Sequence, residues 1–304
     1  LNSYKELPQI WYQIQTKFRD EPRPKSGLLR VREFAMKDSY SFDLEDVGLD
    51  RAFQAHHDAY VKIFKRLDLH AMPVQASSGS MGGSASIEFM VPSPAGEDDV
   101  LRCVSCGYKA NVERGTSELA VIVDETGPEE PERIATPGVR TIAALEEIDG
   151  GAVAENQIKT MVMVMDDEVT LALLRGDHQL NLQKLQDYSG AVDIRPAEPA
   201  EVVKKLGASP GSLGAVGVKS LKVIADFALD GRTNMMTGAN EDDWHLGGVS
   251  VHRDIQVDGW ADLREVQAGE PCVECGETLE IVRCIEAGHI FKLGRKYADA
   301  MGIS

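Results

Sequence analysis

Two Cys-x-x-Cys-Gly units, Cys103-Val104-Ser105-Cys106-Gly107 and Cys272-Val273-Glu274-Cys275-Gly276, constrain this chain more than any other feature. Cysteines at this spacing can wrap one metal ion, and a glycine after the second lets the backbone turn toward it. Four thiolates make a closed tetrahedral site of the structural kind, with no open position for catalysis. If both units share an ion, residues 108–271 must leave one body and return to it, as an insertion clamped at its base. The other reading is four reduced thiols on neighbouring strands. The sequence starts LNSYKELP, without the basic-then-apolar layout of an export signal. Metal binding is therefore read ahead of disulfide bonding, and a cytoplasmic location is expected.

The intervening sequence has its own rhythm. Ile158–Val164 and Thr170–Leu174 read as strands, 181–188 and 198–206 as helices, and Lys222–Ala225 as a further strand. Gly207–Gly217 is a Gly/Pro-rich loop. Strands alternating with helices predict an α/β unit. The acidic, proline-containing stretch Asp124–Asp149 reads as a linker. Ahead of Cys103, residues 44–70 predict a helix, with capping chemistry in Asp43–Asp46. Residues 71–75 and 86–92 predict strands around the Gly/Ser loop SSGSMGGSAS, which lacks the GK[ST] ending of a P-loop.

Composition narrows the function. The 304 residues suit two domains, and no apolar run approaches the ~18 residues of a membrane span. A net charge of −17 excludes a general nucleic-acid binder. An RNA partner would need a local basic surface, such as Arg23 with Lys25, or Lys204, Lys205, Lys219 and Lys222. The first of these lies in Gln15–Asp43, which reads as two antiparallel strands, Lys17–Glu21 and Leu28–Asp38, joined by a cationic turn from Pro22 to Gly27. Phe18, Leu28, Leu29, Val31 and Phe34 read as buried there. The interleaved arginines suggest bidentate recognition of phosphate.

Phe18-Arg19-Asp20-Glu21, a loop, and Arg32-Glu33-Phe34 together resemble motif 2 of class II aminoacyl-tRNA synthetases, in the form of the bacterial-type prolyl-tRNA synthetase family. Ser77–Phe89, Ile158-Lys159-Thr160, Arg175–Asn181, Pro210–Gly214, Gly238–Asn240 through His245 to Asp254, and Gly288–Phe291 extend the likeness over nearly the whole chain. The resemblance implies an α+β fold, a partial class II antiparallel sheet with an inserted α/β editing domain. The implied boundaries are 1–120 and 258–304 for the catalytic parts and 121–257 for the insertion. Motif 1, motif 3 and the anticodon-binding domain are not found, and no initiator Met is present, so a fragment of a homodimeric parent is expected. Such a piece alone is expected not to activate proline.

The implied activity is ATP-dependent activation of proline, its transfer to tRNA(Pro), and hydrolysis of mischarged Ala-tRNA(Pro). The last has a physical motive, since a missing methylene gives only ~1–3 kcal/mol of discrimination. By resemblance, Arg19, Glu21, Arg32 and Phe34 bind ATP with Mg2+. Arg19 and Glu21 serve the chemistry: Arg19 on the α-phosphate, Glu21 on the adenine amino group. Arg23 and Lys25 contact the tRNA acceptor, and Glu88 and His289 line the proline pocket. Lys159, Gly214 and His245 line the editing site, where backbone N–H groups of the glycine loop would hold an ester oxyanion. Cys103, Cys106, Cys272 and Cys275 would hold a structural Zn2+. Where the family carries glycine and valine before Gly288, this chain has Cys284 and Ala287, so strain at Cys284 is expected. The competing readings are a free-standing trans-editing deacylase and a zinc-stapled tRNA-binding module without chemistry.

Overall fold

The computed structural model describes residues 3–25, 27–77 and 83–302. The chain forms two compact units. The first takes the segment up to Arg102, then Gly107–Asn111, then the chain from Glu280; the second takes Cys103–Cys106 and Val112–Leu279.

In the first unit, β1 (Gln9–Phe18) and β2 (Glu33–Phe42) form an antiparallel ladder from Gln9↔Phe42 to Phe18↔Glu33. The strands lie further from the turn than the sequence suggested. Residues 19–32 form the loop, pinned midway by a Lys25↔Arg30 bridge. Pro22 and Pro24 have no N–H to continue the ladder. The apolar residues of this region are not buried: Phe18 is 76% and Leu28 90% exposed. Gln13 and Lys17 from across the ladder and Tyr40 from the same strand all bond Asp38, and together they draw its carboxyl down to about 2.

Helix α1 (Asp46–Arg66) starts at Glu45 without a side-chain cap, so the acidic run before it does not act as the expected cap. Its Tyr60 and Phe64 rings stand 5.0 and 5.6 Å from Phe89. Phe89 belongs to a closed barrel of β3 (Met72–Gln75), β4 (Ala85–Pro92), β5 (Asp98–Arg102), β6 (Lys109–Asn111) and the returning strand Glu280–Lys292. Cys284 lies fully buried among Val74, Met90 and Val100, and its backbone is ordinary strand. The expected glycine strain is absent, because the position asks for a small apolar filler rather than a positive φ.

The second unit includes a stretch that is not a linker. Asp124–Asp149 contains β7 (Glu132–Ala135) and α2 (Ile142–Glu146). Then come β8 (Ile158–Met165), β9 (Glu168–Arg175), α3 (Leu182–Ser189), β10 (Ile194–Pro196), α4 (Pro199–Leu206) and β11 (Lys222–Asp226). After them follow β12 (Met235–Gly238), β13 (Trp244–Val249), α5 (Val251–Asp254) and β14 (Gly259–Ala261). A mixed sheet runs β10-β8-β9-β11-β14, and an antiparallel one β12-β13-β7.

Alternation along the strands makes the mixed sheet two-faced. Val162, Leu171, Leu173 and Val223 bury one face with Val202 of α4. Met163, Ala172, Leu174 and Ile224 bury the other with Leu185 of α3. Both helices carry their stop and start signals. Asn181 caps α3, Glu198 and Glu201 form a capping box on α4, and Gly190 and Gly207 end the two helices in the left-handed region. No helix among the described residues is long and apolar enough to cross a membrane.

Candidate functional site

Among the described residues, chemistry-bearing side chains gather in four places. The first is the 19–32 loop. The Arg19 guanidinium sits 5.0 Å from the centre of the Phe34 ring, and the Arg19 N–H donates to the Arg32 carbonyl at 2.9 Å. Arg32 Nε donates to the Glu21 carbonyl at 2.8 Å. Arg19, Glu21, Arg32 and Phe34 therefore share one cluster. Arg30, which carried no assigned role, donates at 2.8 Å both to Glu21 and to Glu97. That bond, with the Arg23 N–H, holds the Glu21 carboxyl below the usual range. Lys25 is ion-paired with Glu97 at 3.0 Å, and Arg23 offers an exposed side chain.

The second place is the barrel rim. Glu88 and His289 face each other in the ladder between β4 and the returning strand, with His289 Nδ1 3.8 Å from Glu88 and 3.3 Å from Glu286. Ser86 Oγ lies 2.6 Å from His289 Nε2, and Asn111 donates to Glu88 at 2.9 Å. Sequence reasoning missed Ser86, Asn111 and Glu286. The first two are ordinary polar residues whose role depends on strand pairing. Of the expected Gly/Ser loop, residues 78–82 lie outside the described residues.

The third place is a buried polar cluster in the second unit. Thr136 and Ser212 are fully buried, Thr237 and His245 nearly so. Thr136 Oγ1 and His245 Nδ1 are 2.7 Å apart. Burial lowers the His245 pKa, with a backbone hydrogen bond at Gly211 acting in the opposite sense, so the ring is neutral near pH 7. Gly238 pairs with His245, and the 212–214 loop packs on Gly238. A Cβ on Gly214 would stand 2.0 Å from the Gly238 carbonyl oxygen, so only glycine fits.

Two expectations change here. The Gly214 N–H donates to Asn240 Oδ1 at 2.9 Å, and Asn240 Nδ2 returns a bond to the Gly214 carbonyl at 2.9 Å. This N–H is committed and is not offered to an oxyanion. Lys159 donates to the His178 carbonyl at 2.5 Å, and burial lowers its pKa. Gly214 and His245 are thus brought together, while the Lys159 amine is engaged elsewhere. Sequence reasoning missed Thr136 and Ser212; Thr136 stood inside the supposed linker, with only the Pro137-Gly138 turn after it as a signal.

His178 itself is buried, and Nδ1 has no hydrogen-bond partner. Burial, with Arg175 nearby, drives its pKa down to about 4. A folded pKa below the unfolded value of ~6.5 means that the unfolded chain binds the proton first. Stability from this residue is present above ~6.5 and should be lost as pH falls through about 4. Urea midpoints measured across that window should drop for the wild type and drop less for His178→Gln.

The fourth place is the cysteine cluster, with all four sulfurs in the second unit. Cys103 and Cys275 sulfurs are 3.5 Å apart, Cys106 and Cys272 3.7 Å, and all four lie within 4.8 Å of one another. A zinc–sulfur bond of ~2.3 Å in a tetrahedron implies sulfur–sulfur edges of ~3.8 Å, whereas a disulfide needs ~2.05 Å. Gly107 and Gly276 take positive φ angles of 84° and 75°, turning each knuckle back on its thiols. The Cys106 N–H, with that of Ser105, draws the Cys103 thiol down to about 7. The donor set fits a tetrahedral soft cation.

Residues 136–254 match the family model of the aminoacyl-tRNA editing domain. A protein named Proline--tRNA ligase from Anaeromyxobacter sp. (strain Fw109-5) is 54% identical over 304 residues, which is 99% of this chain and 53% of that protein. The protein of the same name from Acidobacterium capsulatum is 46% identical over 322 residues, 99% of this chain and 55% of its own. That of Geotalea daltonii is 45% identical over 304 residues, with 99% and 53% covered. The chain spans about half the length of the curated relatives it matches.

Proposed function

We propose, from a chain homologous along 99% of its length to proteins named Proline--tRNA ligase, that it works as part of such a ligase and that its second unit edits. The activity read here is condensation of proline with ATP, transfer to tRNA(Pro), and hydrolysis of mischarged Ala-tRNA(Pro). The observation that carries the editing half is the buried Thr136, Ser212 and His245 cluster, inside the segment that matches an editing-domain model. In this reading the buried polar site takes alanine and turns proline away by size, the sieve that a synthetic pocket cannot provide alone.

In this reading His245 is neutral and held by Thr136, so it orients the alanyl ester and its water rather than carrying a charge. Gly214 shapes the pocket wall, clasped by Asn240. Lys159 supports the floor through His178. The nucleophile is water, and no Ser/His/Asp set is invoked.

The first unit would serve activation. Arg19, lying over Phe34, would meet the α-phosphate and the substrate carboxylate. Its fixed charge stabilises the crowded phosphorus without reorganisation. Glu21, kept ionised by Arg30, accepts the adenine amino group. Phe34 packs the base, and Arg32 braces the loop. Mg2+ comes with the nucleotide. Glu88 and His289 face the proline amine, and Arg23 and Lys25 meet the acceptor stem. Zinc on the four cysteines would be structural. The working ligase is read as a cytoplasmic homodimer.

The test is Ala-tRNA(Pro) hydrolysis by the purified chain, beside an ATP titration. Hydrolysis above buffer, spared Pro-tRNA(Pro), and a loss of at least about tenfold in His245→Ala are expected. Hydrolysis equal to buffer would end the editing reading. Hydrolysis without ATP affinity would favour a free-standing deacylase, and zinc without either would favour a binding module.

A further inference from the structure

In the second unit a cation stands beside the buried polar cluster. Arg140 follows the Thr136-Pro137-Gly138 turn and reaches over the 211–214 loop. Its Nη1 donates to the Val139 carbonyl at 3.0 Å and to Ser212 Oγ at 3.4 Å, and its Nη2 stands 2.9 Å from Asp243. Asp243 is fixed in turn by the Gly138 N–H at 2.9 Å. Loop and arginine are fitted to each other. Gly211 has φ 109°, and a Cβ there would stand 2.6 Å from Arg140 Cδ. The charge is close enough to bear on His245. Yet the side chain remains 39% exposed, so a braced guanidinium faces solvent beside a buried neutral site. Five donors in a rigid fork leave it capacity beyond these contacts.

An aminoacyl-tRNA brings an ester on an unpaired 3′ end whose nearest strong charges are backbone phosphates. A chain of net charge −17 repels that end unless a local cation offsets the field. We infer that Arg140 is the anion-binding residue of this site: braced by Asp243 and Ser212 over Gly211, it takes a backbone phosphate of the tRNA 3′ end and so sets the ester against His245. This rests on the editing reading above and adds to it the residue that positions the substrate.

The experiment measures Ala-tRNA(Pro) hydrolysis by the 304-residue chain and its Arg140→Ala, Arg140→Lys and Arg133→Ala variants across a range of KCl. Arg133 is the control, a cation of the same unit that lies 4.7 Å over the Trp244 ring and is paired with Glu241. Arg140→Ala should raise KM roughly tenfold with kcat within about twofold, as for loss of a charge-assisted contact. It should also flatten the slope of log(kcat/KM) against log[KCl] by about 0.7, the share of one single-strand phosphate. Arg140→Lys should regain the slope, and Arg133→Ala should keep both wild-type values. An unchanged slope, a loss confined to kcat, or an equal effect in Arg133→Ala would overturn the assignment. If the wild type hydrolyses nothing, the editing reading fails by itself. Fluorescence anisotropy with labelled tRNA(Pro) then decides on Arg140: a weaker, less salt-dependent Arg140→Ala supports it, and equal affinity or no wild-type binding overturns it.

Discussion

Replacing Cys272 by serine is expected to yield a chain without zinc that melts at least about 10 °C below the wild type. Cys272 is fully buried, its N–H donates to the Glu277 carbonyl at 2.7 Å, and it pairs with Ser117 in an isolated bridge. The knuckle therefore organises chain on both sides of it. Structural zinc sites hold apparent binding energies of ~10–16 kcal/mol near neutral pH, and that energy is folding energy where the apo site does not preform. In a unit of this size each kcal/mol moves the midpoint by ~2–4 °C, so half of the binding energy gives the stated shift. Metal analysis of the purified wild type should find about one zinc per chain, and calorimetry should follow the loss. A metal-free wild type with the same midpoint as Cys272→Ser would sink the assignment. Metal binding should also weaken at acid pH, because all four thiols must shed protons to ligate.

Arg232→Ala is expected to cost about 3–5 kcal/mol, the range for breaking a buried ion pair from one side. Arg232 and Asp124 side chains are 7% and 8% exposed. The guanidinium meets the carboxylate through Nε at 2.8 Å and Nη2 at 2.7 Å, and Nη2 also meets the Glu155 carbonyl and Asn156. Truncation leaves Asp124 with the Thr233 N–H at 2.7 Å and little else to offset its desolvation. Burial alone raises the Asp124 pKa, but Arg232 and Thr233 outweigh it and hold the carboxyl below the ordinary range. Its contribution is therefore present above the unfolded value of ~3.9 and lost as pH falls through the lower folded value. Asp124→Leu combined with Arg232→Met should recover most of the loss, since apolar replacement of both partners is often neutral. Urea unfolding of the three chains checks this. A cost under about 1 kcal/mol for Arg232→Ala would show that the pair is not an anchor.

Much of this architecture could be read from residue order, and the failures share a cause. Strands Ile158–Met165 and Glu168–Arg175 are apolar runs bounded by polar turns, so periodicity finds them. The Asp124–Asp149 stretch was read as a linker because its local composition is acidic. Its order comes from partners far along the chain: Arg232 on Asp124, and the 244–247 segment on β7. Leu28 and Phe18 look like core residues by type, yet exposure depends on what faces them. Among candidate site residues, the four cysteines come from their own spacing, whereas Arg19, Glu21 and Phe34 come from the resemblance to a family motif. Thr136, Arg140 and Ser212 were not legible, since each earns its place through one neighbour distant in sequence. The committed N–H of Gly214 shows the same limit, because the bond that occupies it comes from Asn240.

In each cysteine knuckle the first residue is buried and the second exposed: Cys103 and Cys272 against Cys106 and Cys275. Attack on the cluster is therefore one-sided. Alkylating reagents, oxidants and rival thiophilic ions arriving from water are expected to meet Cys106 and Cys275 before Cys103 and Cys272. A metal held there would leave through a half-opened state still tied to the protein by its buried pair, from which the site can close again.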